Sequence, residues 1–154
     1  MSLGKKISLA VLVILVLLQF VRPEKNLGQS TGPNEILDRY AASDTVKALI
    51  RTACYDCHSN NTRYPWYTNI QPIGLWLQHH VNEGKKELNF SEFTSYPSKK
   101  ADHKLEESVE QIRNQEMPLS SYTLIHADAK LNDQQRDLVI RWIEEVRGSI
   151  QAAK

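Results

Sequence analysis

After an apolar run from Ile7 to Leu18, hydrophobic residues along the chain recur at helical spacing almost throughout. Val46, Leu49, Ile50 and Ala53 repeat at three and four residues, predicting a helix that Asp44 can cap and that leads into Cys54. A polar, aromatic loop from Ser59 to Tyr67 follows, where Pro65 and Pro72 exclude a continuous helix. A second helix is predicted from Ile73 to about Leu88, with Ile73, Trp76, Leu77, His80 and Val81 on one face and Lys85, Lys86 and Glu87 beyond it. A third starts near Ser98, carries Ala101, Leu105, Val109 and Ile112, and ends before Met117-Pro118, since proline disfavours helical geometry in the residue before it. The last opens at Asn132 or Asp133, presents Leu138, Trp142 and Val146, and is predicted to close at Arg147-Gly148. No stretch alternates as a strand does. The expected fold is all-α, about four helices.

The N-terminus follows different rules. Lys5 and Lys6 precede Val11, Leu12, Val13, Ile14, Leu15, Val16 and Leu17, the basic and apolar regions of a secretory signal. No small-x-small cleavage site follows, because Gln19, Phe20, Val21 and Arg22 occupy those positions. Residues 1–22 are therefore expected to form an uncleaved signal-anchor, a transmembrane helix at the short limit of the roughly 20 residues a span requires. Basic residues held inside send the rest of the chain across the membrane. Residues 23–33 have little to bury and are expected to be a flexible linker, leaving 34–154 as the main domain.

Charge excludes one class of function. Lys+Arg number 19 against 18 Asp+Glu, and without Lys5, Lys6 and Arg22 the remainder is slightly acidic, which argues against nucleic-acid binding. Only two cysteines are present, three positions apart, so a bridge between them closes almost no loop and cannot staple the fold.

Those cysteines carry the chemistry. Cys54-Tyr55-Asp56-Cys57-His58 has the spacing of covalent c-type haem attachment. Two thiols separated by two residues can each add to a vinyl group, and the histidine after the second is placed to ligate the iron. A thioredoxin-like dithiol needs the pair at the start of a helix in a strand-containing fold, and a structural zinc site needs four ligands; neither context is present in the sequence.

A sixth ligand has two candidates. Met117, between two predicted helices, is the preferred one, since a thioether suits ferrous iron and His/Met ligation raises the reduction potential. His80, on the apolar face of the second helix, is the alternative, as a ligand or as a hydrogen-bond donor. His79 projects about 100° away from it, His103 lies in a charged stretch, and His126 follows Met117 in a loop. Tyr55, Tyr64, Trp66, Tyr67 and Trp76 can wall a haem crevice or simply pack, and Arg63 can meet a propionate or solvent.

The blocks Cys54 to Asn60, Arg63-Tyr-Pro-Trp-Tyr67, His79-His-Val-Asn-Glu-Gly84, Leu88-Asn-Phe-Ser-Glu92 and Met117 to Thr123 closely resemble the haem-binding domain family of Bacteroidetes and related bacteria. The likeness covers roughly residues 34–147. The order of helix, CxxCH, Met-Pro and final helix is more distantly similar to a class I cytochrome c, in which the first and last helices cross near the haem edge. The resemblance implies one covalent haem c, export in a Gram-negative bacterium and a domain facing the periplasm. The expected function is one-electron transfer to an unidentified redox partner at the inner membrane, with no catalytic residues. The alternative is a haem-based sensor with an open or labile sixth site.

Overall fold

In the computed structural model, which describes residues 2–153, the chain forms an all-helical domain behind a projecting N-terminal helix. Helix α1 spans Leu3–Leu18, and a short α2 covers Ile36–Arg39. The motif region comprises α3 (Asp44–Ala53) and α4 (Tyr55–His58), followed by α5 (Ile73–Glu87). Helices α6 (Ser98–Arg113), α7 (Ser120–Thr123) and α8 (Asp133–Ala152) complete the domain, and 3-10 turns occupy Trp66–Asn69, Phe90–Ser95 and Ala127–Ala129. Among the described residues there is no strand, only an isolated bridge between Leu27 and Asn61.

The four helices predicted in the main domain are all present, with differences at their ends. Ser43, not Asp44, caps α3: its hydroxyl accepts from Val46 N at 3.3 Å and places Asp44 in the first turn, where a carboxylate favours the helix dipole. Helix α8 opens in a capping box between Asn132 and Gln135. It continues through Gly148 to Ala152 because the turn beyond carries Ile150 into the core, while Arg147 reaches Asp102, Glu106 and Glu144. Packing overrides the local stop signal.

The core lies where α3, α6 and α8 meet. Ile50, Leu105, Val109, Val139, Trp142, Ile143 and Val146 are buried there, and the Trp142 indole N–H donates to Ala41 O at 2.9 Å, tying α8 to the entry of α3. The Phe90–Ser95 turn inserts Phe90 and Phe93 from the other side.

Two expectations about the N-terminal third are corrected. The predicted transmembrane segment over residues 1–22 forms a helix of only 16 residues, about 24 Å at 1.5 Å per residue, and among the described residues no helix is long and apolar enough to cross a membrane. It ends at Leu18 because Gln19 turns back into the domain: its amide donates to Gln71 O and accepts from Gln71 N, each at 3.0 Å. None of its residues is buried, which also excludes a core helix. Residues 23–33 are tied down as well. Asn26 is buried, donating to Ser59 O and Thr62 Oγ1 at 2.9 Å and accepting from Lys85 Nζ, while Asn61 Nδ2 donates to Gly28 O at 2.8 Å. One asparagine supplies what an apolar side chain otherwise would.

Candidate functional site

The CxxCH segment is built on a helical break. Cys54 ends α3 with φ −123° and ψ −37°, and the chain restarts as the single turn of α4, closed by His58 N donating to Cys54 O at 2.9 Å. His58 at i+4 and Cys57 at i+3 both neighbour Cys54 but diverge from each other by about 100°, one to each side of it. The structure follows that geometry. Cys54 and His58 line a cavity of about 420 Å³, and Cys57 lines a separate notch of about 50 Å³ against α5.

Met117 lines the same cavity as Cys54 and His58. Its wall is apolar on the core side, from Ile50, Leu88, Phe90, Leu131, Val139 and Trp142, with Lys104, Glu107 and Glu110 toward its margin. The size falls in the range of small-molecule and cofactor sites. Met117 is delivered by the turn that ends α6. Glu116 N donates to Gln111 O at 2.9 Å and Gln115 N to Ile112 O at 3.1 Å, a Schellman pairing in which Gln115 takes the left-handed conformation at φ 61°. Glycine is the usual residue there, so the sequence signalled the helix end only through Pro118 and not through its C-cap.

His58 is oriented by α5. Its Nδ1 lies 3.0 Å from Leu88 O, and since a carbonyl can only accept, Nδ1 carries the proton and Nε2 keeps its lone pair. Metal-ligating histidines are commonly held by such a bond from the distal ring nitrogen. Burial pushes the His58 pKa below its ordinary value, against hydrogen bonds to the Leu88 and Gly84 carbonyls that raise it. A neutral imidazole with Nε2 available, beside an apolar cavity that a thioether also lines, fits a haem iron site.

The approach of α4 to α5 depends on Gly84. A Cβ there would stand 2.7 Å from Cys57 O and 3.1 Å from Cys57 Cβ. Gly84→Ala therefore forces α4 away from α5 and loosens the His58–Leu88 bond. We expect a stability loss of about 1–3 kcal/mol in denaturant titration, together with reduced haem retention; an unchanged midpoint would refute the close-packing argument.

Asp56 organises the loop beyond the motif. It is buried, and its carboxylate accepts from Tyr122 OH at 2.7 Å and from Arg63 N at 3.1 Å, with the Arg63 guanidinium at 3.4 Å. Arg63, a possible propionate partner in the sequence, is engaged by this carboxylate.

Burial pushes the Cys54 thiol up to about 12, with the neighbouring Cys57 adding to it, and pushes Cys57 up to about 11, with Asp56 adding to it. Both are protonated at neutral pH, unlike the activated thiolate of a redox dithiol. Among the described residues, no three His, Cys, Asp or Glu side chains gather in a metal-holding group, so no zinc cage accompanies the pair.

The remaining sequence candidates lie elsewhere. His80 faces the Cys57 notch, edge-on to Trp76 at 4.4 Å, and does not line the His58 cavity. His126 lines the same notch, stacked on Tyr122 with its Nε2 2.7 Å from Tyr67 OH. His79 is exposed, and His103 is an exposed partner of Glu106 and Glu107. The aromatic cluster does not wall the His58 cavity; Phe90 and Trp142 do. Tyr55 stacks on Phe90 at 5.6 Å, Tyr64 binds Gln78, Tyr67 and Trp76 line the notch, and Trp66 is exposed.

Glu35 was not legible as a site neighbour. It is fully buried, and its Oε1 accepts from Tyr55 OH inside the motif. Desolvation raises its pKa above the ordinary 4.5, against opposing hydrogen bonds from Tyr55 and Leu37. A folded-state pKa above the unfolded one makes the contribution to stability complete below about 4.5 and progressively lost as pH rises through the folded value. Glu35→Gln, which cannot ionise, is expected to flatten that decline in thermal unfolding measured across pH; parallel pH profiles for the two proteins would contradict it.

A model of the haem-binding domain family matches residues 13–145. No curated protein and no solved structure matches the chain.

Proposed function

Since the chain belongs to the haem-binding domain family, we propose that it is a membrane-associated c-type cytochrome domain that transfers single electrons. The observation that carries this reading is the common cavity of Cys54, His58 and Met117, with His58 Nδ1 held by the Leu88 carbonyl. A bound haem supplies a one-electron iron couple. His58 would hold the iron through Nε2, with Leu88 O keeping its ring from rotating, and Met117 would offer a neutral, soft thioether, which favours the ferrous state. The apolar core-side lining would shield the iron, and with both His58 and Met117 engaged no coordination position would be left for a substrate. That arrangement favours electron transfer over catalysis.

Covalent attachment is part of the proposal, with Cys54 at the cavity wall and Cys57 at its flank. Both thiols are held in the neutral form by burial. Export is supported by Lys5 and Lys6 ahead of the apolar run, with the haem domain on the periplasmic side of the inner membrane. Helix α1, apolar on every side and buried nowhere in the domain, is the element that associates with lipid.

The test is carbon monoxide binding to the ferrous holoprotein. An electron carrier with both axial positions filled binds it slowly, at a rate limited by release of Met117, and titrates as a reversible one-electron couple. Rapid binding at full occupancy would overturn the saturated site and favour the sensor reading.

A further inference from the structure

Around the foot of α1 the domain exposes apolar side chains that nothing in the fold covers. Trp66 is 76% exposed, Trp76 48%, Ile70 44% and Ile73 41%, while the third tryptophan, Trp142, is buried. Isolated exposed apolar residues are ordinary, but a contiguous group is not. Contiguity here follows from the chain. Ile70 and Ile73 flank the Gln71 to which Gln19 is bonded, Trp76 lies one turn along α5 from Ile73, and Asn69 Nδ2 bonds back to Trp66 O. Across the notch, Ile125 shares a surface with Ile73 and Trp76 and continues into Leu124, which is 85% exposed.

Three further contacts tie the chain just beyond α1 to the patch. Gln71 Nε2 donates to Val21 O at 3.1 Å, Arg22 donates to Asn69 O at 3.0 Å, and Lys25 Nζ to Asn69 Oδ1 at 3.1 Å. Charge adds direction. The chain has 18 acidic residues, yet none falls between Asp56 and Glu83 or between Glu116 and Asp128, the two segments that build the patch. Arg22 and Lys25 bond to Asn69 at the edge of the patch, and Arg63 lines the notch, where it pairs with the buried Asp56.

We propose that Trp66, Ile70, Ile73, Trp76, Leu124 and Ile125 form a lipid-seating face, which rests at the boundary between headgroups and acyl chains and fixes how the haem domain stands on the membrane. Tryptophan favours that depth because its ring is apolar and its N–H remains hydrated. The two segments that build the face carry no carboxylate of their own, and Arg22 and Lys25 at its edge can meet anionic headgroups. The cavity of His58 and Met117 lies on the other flank of α4, so a seated domain keeps it turned from the bilayer.

This inference rests on the membrane association of α1, and the experiment separates the two. The full-length holoprotein is reconstituted in phosphatidylcholine–phosphatidylglycerol vesicles carrying a trace of diazirine-bearing phospholipid, photolysed, digested with trypsin and mapped by mass spectrometry. The expected result is labelling of α1 and, several-fold above peptides from the exposed faces of α6 and α8, of the peptides 64–85 and 114–130. The double variant Trp66→Ser/Trp76→Ser, at exposed positions, is expected to lose most labelling of 114–130 while α1 remains labelled. Labelling confined to α1 would overturn the seating face and leave membrane association standing, with a protein partner as the remaining occupant of the patch. Labelling of neither would overturn both, and uniform labelling of every exposed peptide would overturn the face.

Discussion

Replacing Cys54 and Cys57 together by alanine is expected to turn a haem that survives denaturation into one that is lost on unfolding. The wild-type chain, matured in an exporting host, should retain the cofactor through acid or denaturant and give a reduced pyridine haemochrome spectrum of saturated thioether side chains. In the double variant the His58 cavity is expected to persist, because its walls come from Ile50, Leu131, Val139 and Trp142. Some haem can therefore enter and be ligated, but it leaves with the fold. Single variants add a distinction. Cys54 shares the cavity with His58 while Cys57 stands on the flank, so Cys54→Ala is expected to lower covalent yield more than Cys57→Ala does. Wild-type protein that releases all its haem on denaturation, from a host that matures a control cytochrome, would remove the covalent part of the proposal.

Replacing Met117 by alanine is expected to be the second large effect, acting on the iron and not on attachment. The thioether shares the cavity with His58, and the Schellman turn at Gln115 that places it is untouched by the substitution. Without it the ferrous haem becomes five-coordinate or takes water, carbon monoxide binds quickly, and the reduction potential falls. A fall on the order of a tenth of a volt is reasonable, since axial ligands and their surroundings move haem potentials over about 0.8 V. His80→Ala is the matched control, expected to leave spectrum and potential nearly unchanged because His80 faces the notch beside Trp76. A low-spin spectrum retained in Met117→Ala but lost in His80→Ala would reverse the assignment.

The proposed site draws mostly on residues that the sequence singles out. CxxCH is a local pattern, and its chemistry is set by spacing over five residues, so no tertiary contact is needed to read it. Met117 was legible for a different reason: apart from Met1 it is the only methionine, and it falls between two helices. The aromatic residues misled because their number near the motif says nothing of direction. Tyr55 turns into the core against Phe90, and Trp66 turns out to solvent. Gly84, Leu88 O and Glu35 lacked a signal of their own. Their roles depend on α5 lying against α4 and on α2 lying beneath Tyr55, which are long-range contacts.

By itself, the sequence determined the helical class and the four principal helices, and it named the residues proposed to attach and ligate a haem, because periodicity, capping and a five-residue motif act over a few turns of chain. Tertiary structure alone decided which face each of those residues presents. It divided Cys54, His58 and Met117 from Cys57, His80 and His126, carried α8 past Gly148 to bury Ile150, and bound residues 19–28 to the loop after His58. Those outcomes follow from burial and hydrogen-bond satisfaction summed over the whole core, where packing outweighs the tenths of a kcal/mol to about 1 kcal/mol that local preferences contribute.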